Sequence, residues 1–204
     1  MPLVRKPSTA TETSVPDGRT FKEIFATGSD DERWTAARSA AAAPDGVSLL
    51  AAALSTEHNP RVREAIFTAL AKIATPESAA IALPSLRSDE AAERTAALDA
   101  LRAMPAAAAM HLPSLLNDTD PDVRLLACEI ARVLPASGAS RALGDLIERE
   151  TSSNVCSAAI EVLAETGDVA SLPILARCAA RFPDDPFLTF AVKVASDRIG
   201  SSGR

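Results

Sequence analysis

A unit of about 30 residues recurs along this chain, and its best-preserved copy spans residues 59–88. Asn59 can cap a helix, and Pro60 fits the first helical position, where its missing N–H has no consequence. The apolar residues that follow at helical spacings are Val62, Ala65, Ile66, Ala69, Leu70 and Ile73. Thr75-Pro76 ends this helix, and a second apolar run from Ala80 to Leu86 predicts a helical hairpin.

The copies of the unit align on an arginine near the start of each first helix. These anchor arginines are Arg33, Arg63, Arg94 and Arg124, at intervals of 30, 31 and 30 residues. Cys156 and Thr189 occupy the same position in the last two copies. We predict that the anchor arginines form a ladder that binds carboxylates or carbonyls in the turns between repeats, the alternative being a basic stripe for a ligand. The candidate acceptors are Asp31, Asp89, Asp120 and Asp122.

A hairpin of this size cannot bury its apolar face alone, so the copies must stack on one another. The sequence therefore predicts an all-α protein, a right-handed α-solenoid of about five helical hairpins with a C-terminal capping helix. The predicted repeats lie near residues 29–58, 59–88, 89–119, 120–152 and 153–184, and the capping helix covers 185–199. We expect one repeat domain over residues 21–200 and a disordered tail at 1–20. Prolines such as Pro84 predict that the second helices are short or bent.

Two first-helix segments, DPDVRLLACEIARVL at 120–134 and NPRVREAIFTALAKI at 59–73, resemble HEAT-type repeats. They are most similar to the short repeats of bacterial HEAT-like proteins and phycobilisome lyases. The resemblance covers residues 29–199 and implies a concave surface, lined by second helices, that holds another macromolecule. It leaves a bilin-lyase-like protein acting in a complex as the enzymatic alternative. A DNA glycosylase of similar fold is disfavoured by the net charge of −6, because nucleic-acid affinity rests on phosphate neutralisation.

The sequence contains no recognisable catalytic or metal-binding pattern, so no cofactor is predicted. His58 and His111 are the only histidines, and they lie in different repeats without a Cys or His at metal-ligand spacing. Cys128, Cys156 and Cys178 lie inside apolar helical patterns and are predicted to be buried free thiols, with no cationic group near Cys156 in the sequence. Without a signal peptide or a membrane-spanning run, the protein is expected to be cytoplasmic.

These observations predict a non-catalytic scaffold or adaptor that binds a protein or peptide partner, in bacterial signalling or complex assembly, and neither nucleic acid nor membrane. Candidate partner-binding residues lie on the N-terminal tail, the second helices and the last helix. They are Arg5, Lys6, Ser85, His111, Ser114, Arg141, Asp145, Phe187 and Phe190. With Val194, the two phenylalanines form an apolar stripe that is either buried, under the C-terminal residues or by a bend, or contacts a partner or a second copy. We therefore expect a monomer, or a weak homodimer through the last helix.

Overall fold

The computed structural model describes residues 18–202, and its regular structure consists of α-helices joined by turns and short 3₁₀ segments. The helices are α1 (Phe21–Thr27), α2 (Asp30–Ala40), α3 (Gly46–Thr56), α4 (Pro60–Ile73), α5 (Pro76–Ala82), α6 (Ala91–Ala103), α7 (Pro105–Ala109), α8 (Leu112–Leu115), α9 (Pro121–Ala131), α10 (Ala136–Arg149), α11 (Ser153–Thr166), α12 (Leu172–Arg181) and α13 (Pro186–Ser202). The 3₁₀ segments are Leu83–Arg87 and Val169–Ser171.

The chain divides into two compact units, of which the first ends at Ala69 and the second begins at Leu70. In the first unit α1 packs on both α2 and α3. Thr20 with Glu23, and Ser29 with Glu32, form capping boxes that satisfy free N–H groups at the starts of α1 and α2. The buried side chains of this unit include Phe21, Ile24, Ala36, Ala40, Leu50 and Leu54.

The second unit contains two layers of helices. In the layer of first helices, α6 packs on α9, α9 on α11 and α11 on α13. Among the second helices, α5 contacts α7 and α10 contacts α12. Leu101 of α6, Ile130 of α9 and Ile160 of α11 are almost completely buried. Stacked hairpins of this kind share their apolar faces with neighbours, as the sequence predicts.

Prolines shorten the second helices, which confirms the expectation drawn from the sequence. The helix α5 ends at Ala82 and gives way to the 3₁₀ segment that contains Pro84, and α7 and α8 are separate short helices with Pro113 at the start of α8. In contrast, α10 is continuous and has Gly144 at the corresponding position. A Cβ added at Gly144 would lie 3.0 Å from Ile174 Cδ1, so the glycine also permits the close approach of α10 and α12.

Candidate interaction surface

Three of the four anchor arginines bind the turns between repeats through carbonyl oxygens at a constant spacing. Arg63 donates to the carbonyl oxygen of Glu57 at 2.8 Å, and Arg94 donates to that of Ser88 at 2.6 Å. Arg124 binds the carbonyl oxygen at the same offset of six residues, in Asp118, at 2.8 Å. The predicted ladder is therefore present, and it fixes the start of each first helix to the preceding turn.

The strongest ladder contacts are made by two buried carboxylates, each bound by the anchor arginine of its own repeat. Arg124 binds Glu150 with two hydrogen bonds, Nε to Oε2 at 2.6 Å and Nη2 to Oε1 at 2.8 Å. Arg33 binds Glu57 in the same way at 2.7 and 3.1 Å. Glu150 Oε1 also accepts the backbone N–H groups of Thr151 and Ser152, both at 2.9 Å. Each carboxylate thus joins the first helix of a repeat to the turn that follows the second helix of the same repeat.

Glu57 and Glu150 are held in their charged form. Burial opposes ionisation of both carboxyl groups, but hydrogen bonds from their arginines and from nearby backbone N–H groups outweigh it. The pKa of each glutamate is therefore lower than its usual value. The same bonds raise the pKa of Arg33 and Arg124.

Of the predicted aspartate acceptors, Asp89 does bind an anchor arginine, but no aspartate of the set supplies its carboxylate to the ladder as predicted. Asp31 pairs instead with Arg61 at 2.6 Å, and Asp120 accepts the backbone N–H of Asp122 at the start of α9. Asp89 contributes only its backbone carbonyl, to Arg94. The buried carboxylate acceptors are glutamates that lie 24 and 26 residues after their arginines, because each arginine reaches from the start of a first helix to the turn that ends the same repeat.

Cys156, which occupies the anchor position of its repeat, has a cationic neighbour that its local sequence does not show. Arg181, at the end of α12, supplies the missing guanidinium from another part of the repeat. Its Nη2 donates to the carbonyl oxygens of Ile147 and Glu150 and approaches Cys156 Sγ at 3.9 Å. These two carbonyls lie nine and six residues before Cys156, the offsets at which Arg63 binds Leu54 and Glu57. A missing arginine at an otherwise regular position is the sequence signal that a substitute should be sought.

The phenylalanine stripe, defined as Phe187, Phe190 and Val194, is exposed to solvent on α13. Their exposed fractions are 86%, 68% and 45%. The opposite face of the helix, which includes Leu188 and Ala195, is buried against α11 and α12. Of the two alternatives that the sequence left open, the described residues exclude burial of the stripe.

The remaining second-helix candidates have different environments. Ser85 is buried and lies out of reach of a partner, which corrects its place among the binding residues. His111 is half-buried, and Ser114 donates its hydroxyl hydrogen to the His111 carbonyl. Arg141 and Asp145 of α10 are exposed. Arg5 and Lys6 lie outside the described residues.

Met110, which sequence reasoning missed, is an exposed apolar side chain next to His111. Met110 ends the apolar run PAAAAM, which by itself indicates a buried helical face. The residue is exposed because the chain turns between the short helices α7 and α8 at this point. With His111, Ser114, Arg141 and Asp145 it defines the second-helix surface.

Trp34, the only tryptophan, is already engaged by two arginines. The guanidinium carbons of Arg38 and Arg61 lie 4.7 and 4.9 Å from the centre of its ring. The ring is therefore already in contact with two protein cations.

Among residues 18–202, no group of three or more His, Cys, Asp or Glu side chains could hold a metal ion. No helix in this part of the chain is long and apolar enough to cross a membrane. The geometry instead presents surfaces of exposed apolar and charged side chains on a regular helical scaffold.

The stacked hairpins define an all-α solenoid of helical repeats. A sequence profile described as HEAT repeats matches residues 19–102 and 109–192. The chain therefore belongs to the HEAT repeat family, as its first-helix sequences predict. A comparison with curated protein sequences finds no match.

Solved structures that are similar to this chain include two engineered proteins and a designed repeat protein. One engineered protein has 19% sequence identity and a TM-score of 0.44, covering 89% of this chain and 97% of its own. A second engineered protein has 18% identity and a TM-score of 0.40, with 89% and 95% covered. A designed armadillo repeat protein has 15% identity and a TM-score of 0.44, with 88% and 98% covered.

Proposed function

We propose that this HEAT repeat protein is a non-catalytic scaffold or adaptor that binds a protein or peptide partner. The observation that carries the proposal is the exposure of Phe187 and Phe190 on a helix whose opposite face is buried. Large aromatic side chains contribute most of the binding energy in many protein interfaces, and contiguous exposed apolar groups mark such sites. The partner is expected to present an apolar ridge to the stripe.

Comparison with other first helices supports an interaction role for the stripe. The residues at the positions of Phe187, Phe190 and Val194 are Asn154, Ser157 and Glu161 in α11, and Arg61, Glu64 and Thr68 in α4. These internal helices fold with polar side chains there, so packing of the repeat does not require aromatic residues. A function other than folding explains the phenylalanines better.

The second-helix surface is the other candidate contact, as the HEAT resemblance implies. Arg141 and Asp145 lie four residues apart on α10, and neither side chain has a role in the ladder. Their opposite charges would select a partner with complementary groups. The net charge of −6 disfavours a nucleic-acid partner. We further propose that the protein works in the cytoplasm, where its three thiols stay reduced.

The proposal is tested by site-specific photo-crosslinking in a lysate of the cells that express the protein. The residue p-benzoylphenylalanine replaces Phe190 in the full chain and, as the matched control, replaces the exposed Val169 of the same unit. We expect a defined adduct at position 190 that is absent at 169. Equal adducts at both positions, or none at 190, would contradict the stripe as an interface.

The protein identified in the adduct is then purified and titrated with variants of the full chain. We expect Phe187→Ser with Phe190→Ser to weaken binding at least about tenfold, and Val169→Ser to leave it unchanged. Separate Arg141→Glu and Asp145→Lys variants report whether the second-helix surface also takes part. If none of these changes alters the affinity, the scaffold function would have to use another surface.

Self-association through α13 is the remaining expectation. The stripe consists of three exposed side chains, and their combined area is small for an obligate interface. We therefore propose a monomer or a weak homodimer. Sedimentation equilibrium of wild type and of the double serine variant measures this directly. A weak dimer that the serine substitutions abolish is the expected result if the partner of the stripe is a second copy.

A further inference from the structure

A groove of the first unit lies between α1 and α3. Its volume is about 320 Å³, and its apolar lining includes Phe25 of α1 with Leu49 and Ala52 of α3. The lining residues of α3 recur at spacings of three and four from Asp45 to Thr56, so the groove follows the whole length of that helix. A long apolar groove of this shape suits an extended peptide segment.

Small side chains on α3 leave the groove open. When the repeats are aligned on the ladder glutamates, Ser48 and Ala52 of α3 correspond to Arg141 and Asp145 of α10. All four residues are exposed, so a hairpin of this chain accepts long charged side chains at both positions. Packing of the repeat therefore does not require the small residues that open the groove.

We propose that the groove is the docking site of the chain's own N-terminal segment, defined as residues 1–17. Leu3 and Val4 of this segment would lie on the apolar lining, with Arg5 beside Asp45. The segment lies outside the described residues and belongs to the same unit as the groove. This inference does not depend on the proposed scaffold function, which rests on the phenylalanine stripe of the other unit.

The N-terminal segment is long enough to fold back into the groove. The described chain begins at Gly18, four residues before Lys22, which lines the groove on α1. Fourteen residues separate Val4 from Gly18, and an extended chain of that length spans at most about 50 Å. The 11-residue helix α3 is only about 16 Å long. The apolar pair can therefore reach either end of the groove.

The charges of the segment complement those of the groove. Arg5 and Lys6 follow directly after the apolar pair. Asp45 precedes α3, where its exposed side chain makes no capping hydrogen bond to the helix, so its carboxylate can accept from a guanidinium. Lys22 is the other charged group of the lining, and Glu12 of the segment carries the opposite charge.

The test is photo-crosslinking within the purified full chain. The residue p-benzoylphenylalanine replaces Val4, and the irradiated protein is separated by size and mapped by mass spectrometry of its peptides. We expect adducts within single chains that join position 4 to the groove-lining residues of α1 and α3. Adducts that join two chains, adducts spread over the rest of the surface, or no adduct would overturn the proposal.

A variant that fills the groove locates the contact. Ser48→Arg places on α3 the side chain that α10 carries at this position, and it should lower the yield of the adduct at least about fivefold through bulk and like charge. The matched control is Ser39→Arg, which adds the same charge at an exposed position of α2 outside the groove and should leave the yield unchanged. Equal yields in the two variants would overturn the proposal.

Charge reversal tests the pairing of Arg5 with Asp45. Asp45→Lys alone should lower the yield of the adduct, and Arg5→Glu added to it should restore the yield toward that of wild type. The melting temperature of each variant reports that the fold is kept. A double variant that crosslinks no better than Asp45→Lys alone would overturn the proposal.

Discussion

The turn after α10 and the exposed face of α13 belong to the same unit, yet the turn buries a charged side chain and the helix exposes aromatic ones. Glu150, a charged group, is only 6% exposed, whereas Phe187, an aromatic one, is 86% exposed. The carboxylate can be buried because a bidentate arginine and two backbone N–H groups satisfy it. No such structural reason accounts for the phenylalanines. The difference separates a scaffold, held by the ladder, from a surface available for recognition.

Removal of the buried carboxylate should have the largest effect on stability. Glu150→Ala leaves the Arg124 guanidinium and the N–H groups of Thr151 and Ser152 without this acceptor, and we expect it to lower the free energy of unfolding by on the order of 3 kcal/mol. The matched control is Glu148→Ala in the same helix, which breaks an exposed pair with Arg177 and should change it by less than about 1 kcal/mol. Urea denaturation measures both, and equal losses would remove the distinction between the ladder and ordinary surface pairs.

The ladder carboxylates also predict how stability depends on pH. Because the pKa of Glu57 and of Glu150 is lowered in the folded state, their contribution is complete above the unfolded pKa of about 4.3. It is lost as the pH falls through the lower folded pKa, since the unfolded chain then binds more protons. Thermal unfolding between neutral and acidic pH should show a shallower acid loss for Glu57→Gln with Glu150→Gln than for wild type. Parallel curves would contradict this linkage.

Loss of the substitute arginine should have a smaller effect. Arg181→Met removes hydrogen bonds to carbonyls of α10 while keeping the length of the side chain, and should lower the free energy of unfolding by about 1–3 kcal/mol. Arg177→Met, one turn earlier on α12, removes only the exposed pair with Glu148 and should fall within about 1 kcal/mol of wild type. A larger effect for Arg177 would show that Arg181 does not replace an anchor.

The substitution can also be reversed. With Arg181→Ala, the space and the carbonyl acceptors near position 156 become available, so adding Cys156→Arg should recover about 1 kcal/mol relative to Arg181→Ala alone. In the wild-type background the same Cys156→Arg change should destabilise by about 1–3 kcal/mol, because two guanidinium groups then compete for one place. Identical effects of Cys156→Arg in both backgrounds, compared by a double-mutant cycle, would show that the two positions do not exchange this role.

Features that depend on neighbouring residues could be predicted from the sequence, and contacts between residues far apart in the chain could not. The Asn59-Pro60 start and the apolar spacing after it depend on local geometry, so helices and repeats were readable. Glu57 and Glu150 were missed because they lie 24 and 26 residues after their arginines, whereas the aspartates that were chosen lie close to the arginines in the sequence. Arg181 was missed because it lies 25 residues after Cys156 and reaches that position only in the folded hairpin.

The candidate interaction surface could likewise be predicted only in part from the sequence. The stripe was visible as an apolar face, because its residues share a helical spacing, but its exposure depends on what packs around α13. Ser85 is buried because the 3₁₀ segment that follows α5 turns its side chain inward. That change from α-helical to 3₁₀ geometry rotates the residues relative to the pattern from which they were assigned.

The smallest expected effect on stability belongs to the phenylalanine stripe. Phe187→Ser with Phe190→Ser removes exposed rings that pack little against the fold, so the free energy of unfolding should stay within about 0.5 kcal/mol of wild type. The decisive measurement is the affinity of the double variant for the crosslinked partner, taken together with its melting temperature. The account predicts at least about tenfold weaker binding at an unchanged melting temperature. Unchanged binding, or a clear fall in melting temperature, would contradict the separation of scaffold and recognition surface.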